Sequence, residues 1–370
     1  MRTIGSIMEE NNGIGPGFDF LRVGLAFAVV LRHCFPLTYG NSEAASSGFL
    51  WTATMAIIPI FFILSGFLVT GSALRLSLGK FVASRVLRIV PALAVDTIVT
   101  ILLIGLLFTV IPIGEYLSSP QTFSYLANIF GFIHYYLPGV FEANPLPGVV
   151  NGSLWTIPPE LGCYVFISGL IFIGWVSHWK RTLVLAVATI AFIMAAPLLP
   201  ESTPAIVTRL ANHPGALLVP EFLIGSVMYL KRDSIPYSAP LFFLCIALIL
   251  ASGFVLPEAV FSVMPASSAL AIPLYGYVAV FVGATQMPKL PLFSRGDYSY
   301  GIYLYGFPIQ QAIVAATGVL NPFGLFFMTI VPVTVLAMCS WHLVEKPTLR
   351  LRKGFSMAAK MEAKRQSEGQ

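Results

Sequence analysis

Ten segments of the chain are apolar over lengths that suit membrane-spanning helices, and short polar stretches separate them. A helix crosses the hydrocarbon core of a bilayer with about 20 residues. The pattern therefore predicts an all-α, polytopic integral membrane protein with about ten transmembrane helices. The segments cover residues 19–38, 51–72, 90–111, 156–176, 182–199, 215–230, 239–256, 267–286, 298–316 and 324–344.

The lysines and arginines lie almost entirely on one predicted side of the membrane. If all ten segments span, the loops on the other side contain only Arg209, and Arg32 lies near the same end of the first segment. The other 19 of the chain's 21 basic residues fall at or near the opposite side. Because positively charged loops stay in the cytoplasm, both termini are predicted to be cytoplasmic.

The composition excludes a soluble globular protein. Hydrophobic residues make up 57% of the chain and charged residues 10%, with a mean hydropathy of +0.84, whereas soluble domains carry about 25% charged residues. Residues 1–17 lack the basic patch and apolar run of a cleavable signal, so we expect the first hydrophobic helix to stay in the protein. One domain is predicted, with residues 1–17 as a polar start, 18–347 as the ten-helix core and 348–370 as a basic cytoplasmic tail.

Two kinds of partner are not expected. The formal charge of +5 is not gathered on one soluble face, so the sequence does not favour nucleic acid. The four cysteines form no CxxC and have no histidine at metal-ligand spacing, so it favours neither a metal site nor a disulfide framework.

Arg22 and His33 lie in the first apolar segment, eleven residues apart. At 100° per residue they share one helix face, about 16 Å apart along the axis. Charged and titratable residues inside a membrane usually mark a functional site. The structural alternatives are an Arg22 side chain that reaches the headgroups, paired with Asp19, and a buried His33 bonded to a carbonyl.

Arg85 and Arg88 are neighbours one turn apart at the predicted cytoplasmic end of the third segment. Two guanidinium groups at this spacing match a multiply phosphorylated ligand, because arginine binds phosphate with two parallel hydrogen bonds. The bias of basic residues toward the cytoplasm would also explain the pair.

The stretch NGSLWTIPPE ends the largest predicted outer loop. Asn151, Ser153 and Trp155 offer an amide, a hydroxyl and a flat aromatic face, which suit a sugar ligand. Glu160 follows two prolines in the first turn of a helix, where a carboxylate is favoured for structural reasons alone. Its predicted depth is that of His33, so it is also a candidate to orient and charge that imidazole.

Further polar residues fall inside predicted spans. Asp96 and Glu221 are intramembrane carboxylates and therefore candidates without an assigned role. Tyr305 and Gln311 lie well inside the ninth segment and are candidates to line a polar cavity. Tyr305 is predicted to contact the substrate.

Six blocks of this sequence together resemble the membrane acyltransferase 3 family, and within it bacterial O-acetyltransferases of exopolysaccharide, lipopolysaccharide and nodulation-factor sugars. They span residues 18–347 in the family's order. The blocks are the R-x10-H of Arg22 and His33, FFILSGFL, SRVLRIVPAL, NGSLWTIPPE, SYGIYLYGFP and WHLVEKP.

The resemblance implies a ten-helix enzyme of the bacterial inner membrane, without a metal. It implies an acyl group, commonly acetyl, moved from cytoplasmic acyl-CoA to a hydroxyl of an envelope or secreted glycan. The family's arginine and histidine map to Arg22 and His33, and its RxxR pair to Arg85 and Arg88. Many relatives have an aspartate before the FF of helix two, where this chain has Ile57, Ile58 and Pro59. Many have a histidine where this chain has Gly306.

Our hypothesis from the sequence places the coenzyme A phosphates against Arg85 and Arg88, with Arg22 as a third candidate. The pantetheine arm then reaches toward His33, which acts as general base while Glu160 holds the imidazolium. An acyl-enzyme on His33 is an alternative. A different class of function, a carrier or flippase for a glycan or amphiphile, would use the same polar residues along a translocation path.

Overall fold

The computed structural model describes residues 2–40, 54–195, 198–200, 202–211, 213, 215–255, 265–288, 296–319 and 321–350. Most of the predicted basic tail, residues 351–370, lies outside this part. In the described part every regular element is a helix, and the extended contacts are isolated bridges such as Tyr136 with Val149. The all-α prediction is therefore confirmed for these residues.

A helix lies in each of the ten predicted segments. Before them comes the short α1, Ile4–Glu10, and other short helices lie in the loops. We number the elements in chain order. They are α2 (Phe18–Tyr39), α3 (Ile57–Ala73), α4 (Leu78–Val99), α5 (Ile113–Ser118), α6 (Pro120–Tyr125), α7 (Ile157–Phe172), α8 (Trp179–Ala195), α9 (Ala205–Ala211), α10 (Leu218–Leu230), α11 (Ala239–Val255), α12 (Pro265–Ala284), α13 (Ser299–Thr317) and α14 (Pro322–Ser340).

The third helix is longer than the apolar pattern indicates. The segment predicted at 90–111 belongs to a helix that begins at Leu78 and, through a π-helical turn, runs to Phe108. Hydropathy missed the first turns because they carry Arg85 and Arg88. Those turns pack against other parts of the protein, since the side chain of Arg88 is only 15% exposed.

Four helices within the described residues are long and apolar enough to cross a bilayer, as is typical of a membrane protein. They cover Phe18–Tyr39, Leu78–Phe108, Gly152–Phe172 and Pro322–Arg350. Others, such as α10, are apolar but shorter than the thickness of a bilayer requires. The count of ten spans and the cytoplasmic side of the termini stay predictions.

Small residues set the contact between α3 and α10. A Cβ atom on Gly66 would overlap the backbone of Phe222, and one on Gly225 would overlap the backbone of Ile63. Close approach through glycines is a common way for helices to pack inside membranes. This contact fixes α3, one face of which lines the candidate site.

The segment between α4 and α7 folds onto α13. The Gln311 side chain of α13 donates hydrogen bonds to the carbonyls of Leu146 and Val149, at 2.9 and 2.7 Å. It also accepts one from the Asn144 amide at 2.7 Å. These bonds position the 3-10 turn Gly152–Thr156, which leads into α7.

Candidate active site

One cavity of about 320 Å³ lies between α2, α3, α4, α7, α13 and the end of α14. Its wall combines an apolar face from α3 with charged and hydroxyl groups from the other helices. The lining residues are Arg22, Ile58, Phe61, Phe62, Leu64, Ser65, Leu68, Val69, Ser84, Arg85, Arg88, Ile89, Thr156, Glu160, Tyr164, Asp297, Ser299, Tyr300, Tyr303, Trp341 and Leu349.

A group of arginines and carboxylates lies at one end of this cavity, which we call the charged mouth: Arg22, Arg85, Arg88 and Asp297, which line the cavity, and Glu345 behind Arg88. Arg22 forms an ion pair with Asp297, so its partner is not Asp19. Arg88 reaches Asp297 at 2.7 Å and Glu345 at 3.1 Å. Four separate elements contribute to the charged mouth.

Local structure explains where the two carboxylates lie. Asp297 comes directly before α13, and the Ser299 hydroxyl donates to its Oδ1 at 2.6 Å. Glu345 ends a π-helical turn after α14. The Glu345 side chain is only 2% exposed, and Ser340 donates to its other oxygen at 3.2 Å. Both carboxylates are therefore fixed against the arginines.

Arg85 makes contacts of a different kind. Its Nε donates to the Ser84 hydroxyl at 3.2 Å, and its guanidinium lies over the rings of Phe81 and Tyr164 at 5.7 and 5.8 Å. Stacking of this kind suits arginine, whose planar group makes its hydrogen bonds through its edge.

The ion pairs of Asp297 are expected to persist through mildly acidic conditions. Burial alone would raise the pKa of Asp297, but the guanidinium groups of Arg22 and Arg88 and the Ser299 hydroxyl outweigh burial. They hold the pKa well below the usual range of an aspartate. A lowered pKa in the folded state stabilises the protein at pH values above the unfolded pKa of about 4, and this stability is lost only as pH falls further.

We therefore expect Asp297→Asn to lower the unfolding temperature by an amount that does not decrease as pH falls from 8 to 5. Below about pH 4 the difference from wild type should narrow, because the aspartate is then protonated in the unfolded chain. Unfolding of both proteins in detergent, followed by tryptophan fluorescence across this range, is the measurement. A difference that narrows between pH 8 and 6 would contradict the assignment.

The other end of the cavity, which we call the floor, is closed by hydroxyl groups and rings. The Tyr303 hydroxyl lies 2.5 Å from Thr156 Oγ1 and donates to the Ser153 carbonyl at 2.5 Å. The ring of Phe61 meets Tyr303 edge-on, with centroids 6.4 Å apart. Thr156, Tyr303 and Phe61 together define the floor.

His33 lies on α2, and it is not among the residues that line the cavity. Its ring contacts Phe307, four residues after Tyr303 on α13, with centroids 5.1 Å apart in an edge-on arrangement. Arg22, on the same helix as His33, lines the cavity at the charged mouth. Of the predicted pair, Arg22 therefore lies in the cavity wall, and His33 lies beside a residue one helical turn along α13 from Tyr303.

Glu160 lines the cavity between these ends. Its Oε1 accepts a hydrogen bond from the Tyr164 hydroxyl at 2.5 Å, and it lies in the first turn of α7, as the two prolines before it indicate. Within the described residues, Glu160 and His33 do not share a hydrogen bond. The pairing of these two side chains stays a prediction.

The predicted sugar-binding residues lie behind the cavity wall. The Asn151 side chain is buried, donates to the Leu304 carbonyl at 3.0 Å and accepts from the Ser153 amide at 3.2 Å, so it caps the 3-10 turn. Ser153 is buried, and Trp155 packs on the main hydrophobic core. Tyr305 packs in a second core with α2 and α14. Contact of these four side chains with substrate stays a prediction.

The sequence analysis did not identify four residues that lie at the candidate site. Asp297 and Glu345 stand in the blocks GDYSYG and WHLVEKP, and a search for carboxylates at the predicted depth of the arginines would have found them. Tyr303 and Thr156 differ from the predicted Tyr305 and Trp155 by one or two positions. Only the packing of α13 and α7 shows which face points into the cavity.

The remaining intramembrane carboxylates lie outside the cavity. Asp96 is fully buried, with one oxygen accepting from the Asn151 amide at 3.3 Å. Glu221 is buried on α10. Among the described residues, no three His, Cys, Asp or Glu side chains lie together as metal ligands would.

Comparisons with known proteins agree with the motifs. A family model described as an acyltransferase domain matches residues 16–342. A protein of Shigella phage Sf6 named O-acetyl transferase is 27% identical over 353 residues, which cover 89% of this chain and 94% of the relative. Nodulation protein 10 of Rhizobium leguminosarum bv. viciae is 29% identical over 373 positions, covering 94% of this chain and 97% of the relative.

A third relative, from Bacillus subtilis (strain 168), has a name that proposes peptidoglycan O-acetyltransferase activity. It is 25% identical over 90% of this chain, which spans 54% of that relative. No solved structure matches the chain. The family model covers far more than half of the sequence, so the chain belongs to the acyltransferase 3 family of membrane proteins and is an acyltransferase.

Proposed function

We propose that the protein transfers an acetyl group from cytoplasmic acetyl-CoA to a hydroxyl of a cell-envelope or secreted glycan. The observation that carries this proposal is the cavity itself. It has arginines at one end, an apolar wall along its length and a floor one helical turn from His33. The names of the phage and Bacillus relatives support an O-acetyl group and a glycan acceptor.

The charged mouth suits the phosphates of the donor, to which we assign Arg85 together with Arg88 and Arg22. Arg88 is held by two carboxylates and Arg22 by Asp297, so part of their charge is neutralised within the protein. The guanidinium of Arg85 lines the cavity over two aromatic rings, and arginine binds phosphate oxygens through its planar edge.

The pantetheine arm would then lie along the apolar face of α3, with the thioester at the floor. His33 accepts the proton of the glycan hydroxyl as its oxygen attacks the thioester carbonyl. The carbon–sulfur bond breaks, coenzyme A leaves as a thiolate and the proton returns to sulfur. In the covalent alternative, the imidazole nitrogen attacks first and the glycan then accepts the acyl group. Trapping acyl-protein from labelled acetyl-CoA without glycan distinguishes the two routes.

The membrane arrangement proposed here has ten spans, a single domain and both termini in the cytoplasm of a bacterium, within its inner membrane. Its support is the distribution of basic residues and the ten helices at the predicted segments. The charged mouth belongs to the cytoplasmic side in this arrangement, where acyl-CoA is found. The glycan approaches His33 from the other side.

The test is release of coenzyme A by the purified protein when acetyl-CoA and an envelope glycan are both supplied. Coenzyme A should be measured by mass spectrometry, which distinguishes its thiol from those of the protein's four cysteines. A carrier would move the glycan without producing coenzyme A. Absence of coenzyme A release with every envelope glycan of the native host would overturn the proposal.

Arg85→Gln is expected to raise the KM for acetyl-CoA about tenfold or more and to change kcat little. A hydrogen bond to a charged group contributes about 1.5–3 kcal/mol, and 1.4 kcal/mol is a factor of ten. Acetyl-pantetheine, which lacks the nucleotide phosphates, is the matched control donor. An equal increase in KM for both donors would show that Arg85 does not contact phosphate.

A further inference from the structure

We propose that Tyr303 sets the length of the acyl group that the enzyme accepts, and that the floor it forms with Thr156 and Phe61 restricts the donor to short chains. This inference rests on the proposed function, because it assumes an acyl-CoA whose thioester end points away from the charged mouth. Tyr303 would act as a specificity-determining residue that contacts the acyl group.

Helix geometry places Tyr303 at the end of the cavity opposite the phosphates. On α13 the lining residues run from Ser299 beside Asp297 to Tyr303, a rise of about 6 Å. On α7 they run from Tyr164, beneath the Arg85 guanidinium, to Thr156, a rise of about 12 Å. The Tyr303 to Thr156 bond joins the two far ends.

The floor is held in place from behind. The Tyr303 hydroxyl is tied to Thr156 and to the Ser153 carbonyl, both at 2.5 Å. The turn that carries Ser153 and Thr156 is capped by Asn151, which also bonds to the carbonyl of Leu304, the residue after Tyr303. Rotation of the tyrosine away from the cavity would break both of its bonds, so the floor does not yield easily to a longer chain.

The size of the cavity agrees with a short acyl group. A volume of about 320 Å³ lies at the lower end of the range of about 300 to 1,000 Å³ for ligand sites. An apolar pocket that is open at its end gains affinity with each methylene of a longer chain. A closed one instead rejects the longer chain, because packed interiors tolerate added methylenes poorly.

The position of His33 gives the floor a second consequence. Phe307, one turn beyond Tyr303, contacts the imidazole. A short acyl group resting on the floor holds its carbonyl carbon near that turn. Each added methylene would push the carbonyl back toward the charged mouth and away from His33, so chain length should affect kcat as well as KM.

The experiment measures kcat/KM for acetyl-, butyryl- and hexanoyl-CoA in wild type, Tyr303→Ala and Tyr303→Phe. We expect wild type to favour acetyl-CoA over hexanoyl-CoA by at least tenfold. Tyr303→Ala should reverse or remove that preference, whereas Tyr303→Phe, which keeps the ring, should retain most of it. Phe61→Leu enlarges the same floor without removing a hydrogen bond, and it replaces Tyr303→Ala if that variant does not fold.

The outcomes separate the two proposals. Suppose that wild type uses acetyl-CoA, and that folded Tyr303→Ala and Phe61→Leu have the same ratio of kcat/KM for acetyl-CoA to kcat/KM for hexanoyl-CoA as wild type. This result overturns the role of Tyr303 and leaves the proposed function intact. Wild type that releases no coenzyme A from any of the three donors overturns the proposed function, and the inference falls with it.

Discussion

Replacing His33 by alanine is expected to lower the rate of acyl transfer by about 10² to 10⁴-fold, the usual contribution of a general base. The imidazole contacts Phe307, one helical turn along α13 from Tyr303, and in the proposed function it meets the acceptor hydroxyl. Its removal leaves the charged mouth untouched, so the KM for acetyl-CoA should change little. The measurement is coenzyme A release with acetyl-CoA and glycan, at several donor concentrations.

His178→Ala is the matched control, because this histidine is exposed in the turn before α8. It should leave the rate unchanged. Equal unfolding temperatures of wild type and His33→Ala would show that the loss is chemical rather than structural. A His33→Ala enzyme that retains the wild-type rate would exclude the imidazole from catalysis, whichever of the two routes is followed.

The alignment of Arg22 with His33 shows what a sequence predicts well. Helical periodicity is local, so eleven residues within one helix fix both an angle and a distance. The structure keeps α2 continuous from Phe18 to Tyr39, with Arg22 in the cavity wall and His33 against Phe307. The ten helical segments were predictable for the same reason, because hydropathy over 20 residues depends on those residues alone.

Contacts between distant parts of the chain were not predictable in this way. Arg88 meets Glu345 across 257 positions and Asp297 across 209. Whether Tyr303 or Tyr305 faces the cavity depends on how α13 packs against α2 and α7, since two residues on a helix point about 200° apart. A block such as SYGIYLYGFP therefore indicates a site without showing which tyrosine enters it.

The structural explanation of Glu160 is compatible with a position in the cavity wall. Glu160 stands in the first turn of α7, as helix-start chemistry favours, and it also lines the cavity. Asn151 caps the turn that holds Thr156 and donates hydrogen bonds to Asp96 and to the Leu304 carbonyl, so its observed roles are structural. Within one motif, some polar residues thus line the cavity, and others form the hydrogen bonds that hold the cavity wall in place.

The two arginines of the RxxR pair should differ sharply when each is replaced by glutamine. Arg88→Gln removes the cation that holds Glu345, a carboxylate whose side chain is 2% exposed. Removing one partner of a buried ion pair costs up to about 3–5 kcal/mol, because the remaining carboxylate either stays charged without compensation or has to take up a proton. We therefore expect Arg88→Gln to lower the stability of the protein more than Arg85→Gln, whose main effect should be on donor affinity.

The difference in stability is measured by unfolding followed by tryptophan fluorescence. The proteins compared are the two single variants and the Arg88→Gln, Glu345→Gln double variant. The double variant should recover part of the lost stability, since it removes the uncompensated carboxylate as well. Asp297 keeps Arg22 as a partner in every case, so the recovery reports on Glu345. If Arg88→Gln is as stable as Arg85→Gln, the ion pairs of the charged mouth do not hold the helices together, and both arginines are then available to the donor phosphates.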